Sequence, residues 1–208
     1  MFSSLFNPEA PFWRKLGALA DILMLSLLWV LTSLPIITLG PSTAALYDAS
    51  ARCVRQGKAG TLSRYFGTFR RELGEGIILT VIFWVGMLVL LIPLRFFWAA
   101  VVGDLAGARV ALAAYAIVLV IPLGALCWVF PILSRFTVSP LGAVKVSVQF
   151  SLAYLPQTFL MVLSLILTGL ACALYWAPVL ILPGLSALLW SCFIERIFAK
   201  HTPSDPEL

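Results

Sequence analysis

From Val146 to Ile194 the chain carries no Asp, Glu, Lys, Arg or His. As helix that run would measure roughly 73 Å at 1.5 Å per residue, more than twice the ~30 Å hydrocarbon layer of a bilayer. Water cannot be the solvent for it, and a single crossing cannot contain it. The run must cross twice, turning near Tyr175-Trp176-Ala177-Pro178, where Pro interrupts helix and Tyr and Trp favour the membrane interface.

The same reasoning extends to the whole chain. It is 62% hydrophobic and 11% charged, with a mean hydropathy of +1.03, whereas a soluble domain is about 45–50% apolar and about 25% charged. A chain of 208 residues has too much surface for its volume to hide that excess in water. Lipid is therefore the first expected partner. The net charge of +5 and pI near 9.3 could point to nucleic acid, but the bases are scattered beside apolar runs, as flanks of membrane spans are. No nucleic-acid partner is expected.

Lipid offers no hydrogen-bond partner to free backbone groups, so the expected fold is all-α: a polytopic bundle of about five transmembrane helices with short amphipathic cytoplasmic helices. The spans fall near residues 17–39, 76–94, 110–133, 155–174 and 179–198, within one transmembrane domain over 17–198. Residues 1–16 read as an uncleaved interfacial segment resting on Phe2, Leu5, Phe6, Phe12 and Trp13, and 199–208 as a polar tail holding the lone His201. Five spans put the termini on opposite sides. With the N-terminus outside, the inner segments hold Arg52, Arg55, Lys58, Arg64, Arg70, Arg71, Arg135, Lys145, Arg196 and Lys200. The outer segments hold only Arg14, Lys15, Arg95 and Arg109. The positive-inside rule then favours a cytoplasmic C-terminus in a bacterial inner (cell) membrane.

The longest polar stretch is the cytoplasmic segment 40–75. A helix is expected from Ser42 to Arg55, opened by Gly40-Pro41 and stopped at Gly57; re-entry of Pro35 to Tyr47 into the membrane is the alternative. A second helix, Leu62 to Leu73, sets Leu62, Tyr65, Phe66, Phe69 and Leu73 at spacings of three and four, with Arg64, Arg70 and Arg71 around them. An aromatic face with a basic rim suits either packing beneath the bundle, contact with anionic lipid, or docking of a protein partner. The candidate contact residues are thus Arg64, Tyr65, Phe66, Phe69, Arg70 and Arg71. Further on, Ser139 can cap a helix that starts at Pro140. The two Pro-initiated inner helices only weakly suggest an internal repeat.

No motif for catalysis or metal binding is present in the sequence, so neither an enzyme nor a cofactor is expected. Cys53, Cys127, Cys172 and Cys192 form no C-x-x-C pair and read as small apolar residues rather than disulfides or zinc ligands. Asp21, about one turn inside the first span, is the candidate intramembrane polar site, set against solvation or pairing with Arg14 or Lys15 at the interface. The span cores hold no other acid, which disfavours a proton-coupled transporter. Ser26, Thr32, Ser33, Thr80, Ser164, Thr168, Ser186 and Ser191 suit bonding between helices. Trp29, Trp84 and Trp128 lie deep enough to line a pocket or pack the bundle.

Several blocks resemble the YesL family of small bacterial membrane proteins. These are Phe6-Asn7-Pro8-Glu9, Leu34-Pro35-Ile36-Ile37-Thr38-Leu39-Gly40-Pro41-Ser42-Thr43-Ala44-Ala45-Leu46-Tyr47, Tyr65-Phe66 with Phe69-Arg70, and Pro131-Ile132-Leu133-Ser134-Arg135-Phe136. The Leu-Pro-x-x-Thr-x-Gly-Pro block is the most specific of them. Where many relatives have Lys-Asn-Ala, this chain departs with Leu141-Gly142-Ala143. That family has no established biochemical activity, but its members often accompany carbohydrate importers of the ATP-binding-cassette (ABC) type, glycan-degrading enzymes and sensor kinases. The resemblance implies an accessory or regulatory role in carbohydrate transport, with importer subunits or a sensor kinase as partners and a homo-oligomer as a further option. The rival expectation is a small transporter or channel in its own right.

Overall fold

The computed structural model describes residues 11–136, 138–175 and 177–201, the first five and the last of them by backbone alone. The interfacial segment expected before residue 11, the side chains of Phe12, Trp13, Arg14 and Lys15, Trp176 at the expected turn and the tail beyond 201 lie outside what it describes. Among the described residues eight α-helices succeed one another: α1 Pro11–Ser33, α2 Leu39–Ala49, α3 Thr61–Arg71, α4 Leu73–Val102, α5 Ala108–Arg135, α6 Pro140–Ala153, α7 Leu155–Leu174 and α8 Leu182–His201. There is no strand among the described residues. Five helices are long and apolar enough to cross a membrane: α1, α4, α5, α7 and α8. The chain is an all-α bundle of the expected kind.

The boundaries follow from local chemistry. α7 coincides with the expected 155–174, while α1 stops at Ser33 rather than 39 because Leu34 precedes Pro35, a position that disfavours helix. The chain turns through a 3-10 segment, Ile36–Thr38, and Thr38 Oγ1 donates to the freed carbonyls of Thr32 (2.6 Å) and Pro35 (2.7 Å). α4 runs past the expected end at Leu94, through Pro93 and Arg95, to Val102; in lipid an ended helix would strand more backbone groups than a proline does. A tight turn with Asp104 (φ 52°) and Gly107 (φ 81°) returns the chain as α5. α8 begins at Leu182, after a 3-10 turn over Ala177–Leu180. α6 starts as expected, with Ser139 Oγ accepting from Gly142 N and Pro140 next to it.

The centre of the molecule is α2. The sequence places this helix in an inner loop, whereas the structure sets it among α1, α3, α4, α5 and α8. Gly40, Pro41, Ser42 and every residue from Ala44 to Ala49 are buried. It continues as a π-helix over Ser50–Arg55, which packs on α8. Small residues make this possible. A Cβ on Gly40 would come within 2.3 Å of Thr80 Oγ1 and 2.5 Å of the Gly76 carbonyl, and Gly40 N donates to Thr80 Oγ1 at 3.0 Å. A Cβ on Gly76 would in turn strike the Pro41 ring at 2.7 Å. The Gly40-Pro41 pair is thus the half of the specific sequence block that lets α2 and α4 touch backbone to backbone.

Elsewhere hydroxyl groups join helices, as expected in lipid. Ser26 Oγ accepts from Gly184 N (3.0 Å), which joins α1 to α8 where Gly184 leaves no room for a side chain. Indole N–H groups inside the bundle find hydroxyls: buried Trp128 on Thr158 (2.9 Å), buried Trp190 on Ser164 (2.7 Å) and half-buried Trp29 on Thr43 (3.2 Å). Gly124 lies against Ser151 and Thr158, whereas Gly169 touches nothing.

Gly40→Ala should therefore cost about 1–3 kcal/mol through overpacking, read as a lower melting temperature in mild detergent. Gly86→Ala, on an α4 face with no neighbour within 4 Å, should leave it equal or slightly raised.

Candidate functional site: a buried ionic layer above a lateral cavity

Just before its π-helical continuation, α2 carries a carboxylate that is 1% exposed, Asp48. Four donors reach it: Arg64 Nε at 2.5 Å and Nη2 at 3.2 Å, Arg52 Nε at 3.0 Å and Thr68 Oγ1 at 2.8 Å. An ionised carboxylate has about four lone-pair sites, and all are taken. Burial pushes the Asp48 carboxyl up, but the bonds from Arg64 and Thr68 and the charges of Arg64 and Arg52 outweigh it and hold the group below the usual carboxylate range. The same contact raises Arg64. An acid with all its lone pairs engaged and its ionised form favoured is suited to holding structure rather than to relaying protons at neutral pH. It binds α3 to α2.

A second cluster lies at the ends of α5 and α8. Glu195 takes both arms of the Arg135 guanidinium and accepts from the Tyr47 hydroxyl at 3.2 Å. Burial, with Glu195 beside it, pushes the Tyr47 phenol far up, so it stays a neutral donor. Arg55 Nη1 donates to the Ser191 carbonyl (2.8 Å), and Arg71 spans Glu72 Oε1 (2.5 Å) and the Ser134 carbonyl (3.1 Å) at the end of α5. These cations satisfy carboxylates and helix carbonyls in a single layer that joins α2, α3, α5 and α8.

The expected contact residues on α3 divide between its two sides. Tyr65 is fully buried, its hydroxyl 2.6 Å from Thr32 Oγ1, and burial pushes the phenol up to about 12. Phe69 stacks on Tyr65 in the same cluster as Leu25 and Ala49. Arg64 and Arg71 are engaged as described. What faces outward is Leu62, Phe66 (38% exposed) and Arg70. The helix is amphipathic, but the three-and-four spacing spreads its aromatic residues over more than one face. Asp21 is half-buried on α1, without an ion pair to any residue whose side chain is described, and near enough to Cys53 to act on it electrostatically; pairing with Arg14 or Lys15 lies outside the described side chains.

On the other side of α2 lies a cavity of about 390 Å³. Leu39, Thr43, Leu46 and Tyr47 of α2 form one wall; α4 contributes Thr80, Phe83, Trp84 and Met87, α5 contributes Cys127 and Phe130, and α8 contributes Ser186 and Trp190. Trp29 and Trp84, two of the three deep tryptophans, line it; Trp128 instead packs on Phe150 and Tyr154. No charged side chain lines it among the described residues. Four of its hydroxyls are turned to protein partners, Thr43 to the Leu39 carbonyl, Thr80 to Gly76, Ser186 to Pro183 and Tyr47 to Glu195, which leaves that of Thr168 on α7 without a hydrogen bond to any described residue. Among the described residues no group of three His, Cys, Asp or Glu side chains could hold a metal.

Fold and site together define a multi-pass α-helical membrane protein built round a buried, ionically fastened helix. Residues 22–94, from α1 into α4, match the family model described as "Protein of unknown function, DUF624". The match contains the whole Asp48 cluster. Neither the curated proteins nor the solved structures yield a match.

Asp48→Asn removes half of a mostly buried pairing, and should cost about 3 kcal/mol, the low end for such pairs because both arginines keep contact with solvent. Hydrogen exchange in α3 should speed up accordingly. A carboxyl with a lowered native pKa contributes stability that is present above its unfolded value, near 3.9, and lost as pH falls through the lowered one. Protection of α3 should thus hold from pH 8 to 5 and fall below about pH 4, and Asp48→Asn should lack that acid transition.

Proposed function

We propose that the protein is a non-enzymatic accessory or regulatory component of a bacterial cell membrane, linked to carbohydrate uptake by an ABC importer or to its sensing. The observation that carries this reading is α3, a helix fastened rigidly by Asp48 that turns Leu62, Phe66 and Arg70 outward. A fixed, exposed aromatic and basic surface is what a docking partner needs. The YesL resemblance supplies the context, and YesL proteins fall within the family matched over 22–94.

The cavity's chemistry supports an accessory role over transport by this chain alone. Sugars are recognised by converging hydrogen-bond donors and acceptors, and the hydroxyls of Thr43, Thr80, Ser186 and Tyr47 are bonded within the protein. The orientation we propose, N-terminus outside and C-terminus cytoplasmic, puts the Arg-rich layer on the inner side.

Purification in mild detergent should recover importer subunits or a sensor kinase with the wild-type protein. Phe66→Ala combined with Arg70→Glu should abolish that recovery without changing the melting temperature. Repeated isolation of the chain alone, or sugar flux by the pure protein in liposomes, would refute the reading. For the orientation, a membrane-impermeant maleimide should label Asp104→Cys in intact cells and Lys58→Cys only after permeabilisation.

A further inference from the structure

We infer that the cavity beside α2 is a binding site for one acyl chain of a bilayer phospholipid. The walls decide the direction from which a ligand enters. α4 packs on α2, α3, α5 and α6, while α8 packs on both α1 and α7, and α4 makes no extensive contact with any of those three among the described residues. The cavity lies in the resulting cleft, with Trp84 and Met87 of α4 facing Trp29 of α1 and Trp190 of α8. Trp84 is 45% exposed and is flanked along α4 by the outward-facing Val81, Val85 and Leu88. The cavity surface is thus continuous with the faces that α4 turns to lipid.

Chemistry then selects the occupant. A water molecule needs two to four polar partners to stay in a cavity; the hydroxyls of Thr43, Thr80 and Ser186 are already committed to backbone carbonyls, and Thr168 alone, on the α7 wall, offers an uncommitted one among the described residues. Hydrocarbon needs none. The aromatic rings of Trp29, Phe83, Trp84, Phe130 and Trp190 give a flexible chain broad contact area. At about 390 Å³ the volume sits at the small end of ligand sites, which span ~300–1,000 Å³, and so suits a single chain rather than a whole lipid. The bilayer around the cleft supplies phospholipid at high local concentration.

The position matters for regulation. Leu39, Thr43, Leu46 and Tyr47 face the cavity, while Asp48, on the opposite side of the same helix turn, holds α3. A chain in the cleft therefore packs directly on the helix that positions the outward face of Phe66 and Arg70.

The test uses the full-length protein purified in mild detergent. Native mass spectrometry should find one phospholipid per chain surviving extended washing, and Leu126→Trp, which fills the cavity from α5, should cut that retention at least tenfold. Equal retention by a folded Leu126→Trp would overturn the site. Recovery of a free fatty acid or an isoprenoid instead would overturn the choice of phospholipid. Should Leu126→Trp not fold, the wild type decides in vesicles of phosphatidylcholine brominated on its acyl chains. Trp190 is only 8% exposed, so its fluorescence, read as the difference between wild type and Trp190→Phe, should be quenched severalfold if a chain enters; an unquenched Trp190 would overturn the proposal.

Discussion

A carboxylate without solvent must be given its partners by the protein, and in this chain that requirement organises the polar half of the fold. Asp48 is buried because α2 is made of small residues that let five helices close around it. Once buried, it needs cations and hydroxyls, which come from its own helix through Arg52 and from α3 through Arg64 and Thr68. The Arg64–Asp48 pairing fixes the register of α3, and that register sends Tyr65 inward to Thr32 and Phe66 outward. Buried ion pairs add little net stability, but they discriminate strongly against alternatives that leave the charge alone.

The apolar half rests on a different economy. In hydrocarbon there is little to gain from burying one more leucine, so helices meet where backbones can approach and where hydroxyls and indoles can bond. Gly40 with Gly76, Gly124 with Ser151 and Gly184 with Ser26 are such meetings. The Leu-Pro-x-x-Thr-x-Gly-Pro block gains a physical meaning from this: proline ends α1, threonine collects the freed carbonyls, and Gly-Pro seats α2 on α4.

Much of this was legible in the sequence. Charge-free runs mark membrane helices because the solvent constraint acts on each segment separately, so α7 is placed to the residue and the other four spans within several. Ser139-Pro140 marks a helix start for an equally local reason. The depth of α2 is another matter. Its composition, rich in Ala, Gly, Ser and Thr, is too weakly apolar to read as a span, and only tertiary packing makes this helix core. A usable signal was there: Asp48 and Arg52 stand four apart in a helix of small residues, a pattern that forecasts a close-packed helix with an acid needing partners. The side taken by Tyr65 is open for a related reason, since an aromatic residue on a basic helix can face lipid, a partner or its own bundle, and a hydroxyl on α1 makes the choice. The cavity, assembled from residues of six helices, has no trace in any local pattern.

The α4–α5 hairpin bears on the surrounding membrane itself. From Gly76 to Val102, α4 is apolar save for Arg95, a length of roughly 40 Å against a hydrocarbon layer of ~30 Å. To fit by leaning alone it would have to incline by about 40°, the limit observed for such helices. α7, with its 20 residues, matches the layer upright. One side of the protein therefore prefers a thicker bilayer than the other. Mismatch costs fractions of a kcal/mol per Å, so a hydrocarbon layer that suits α7 upright suits α4 only when that helix leans.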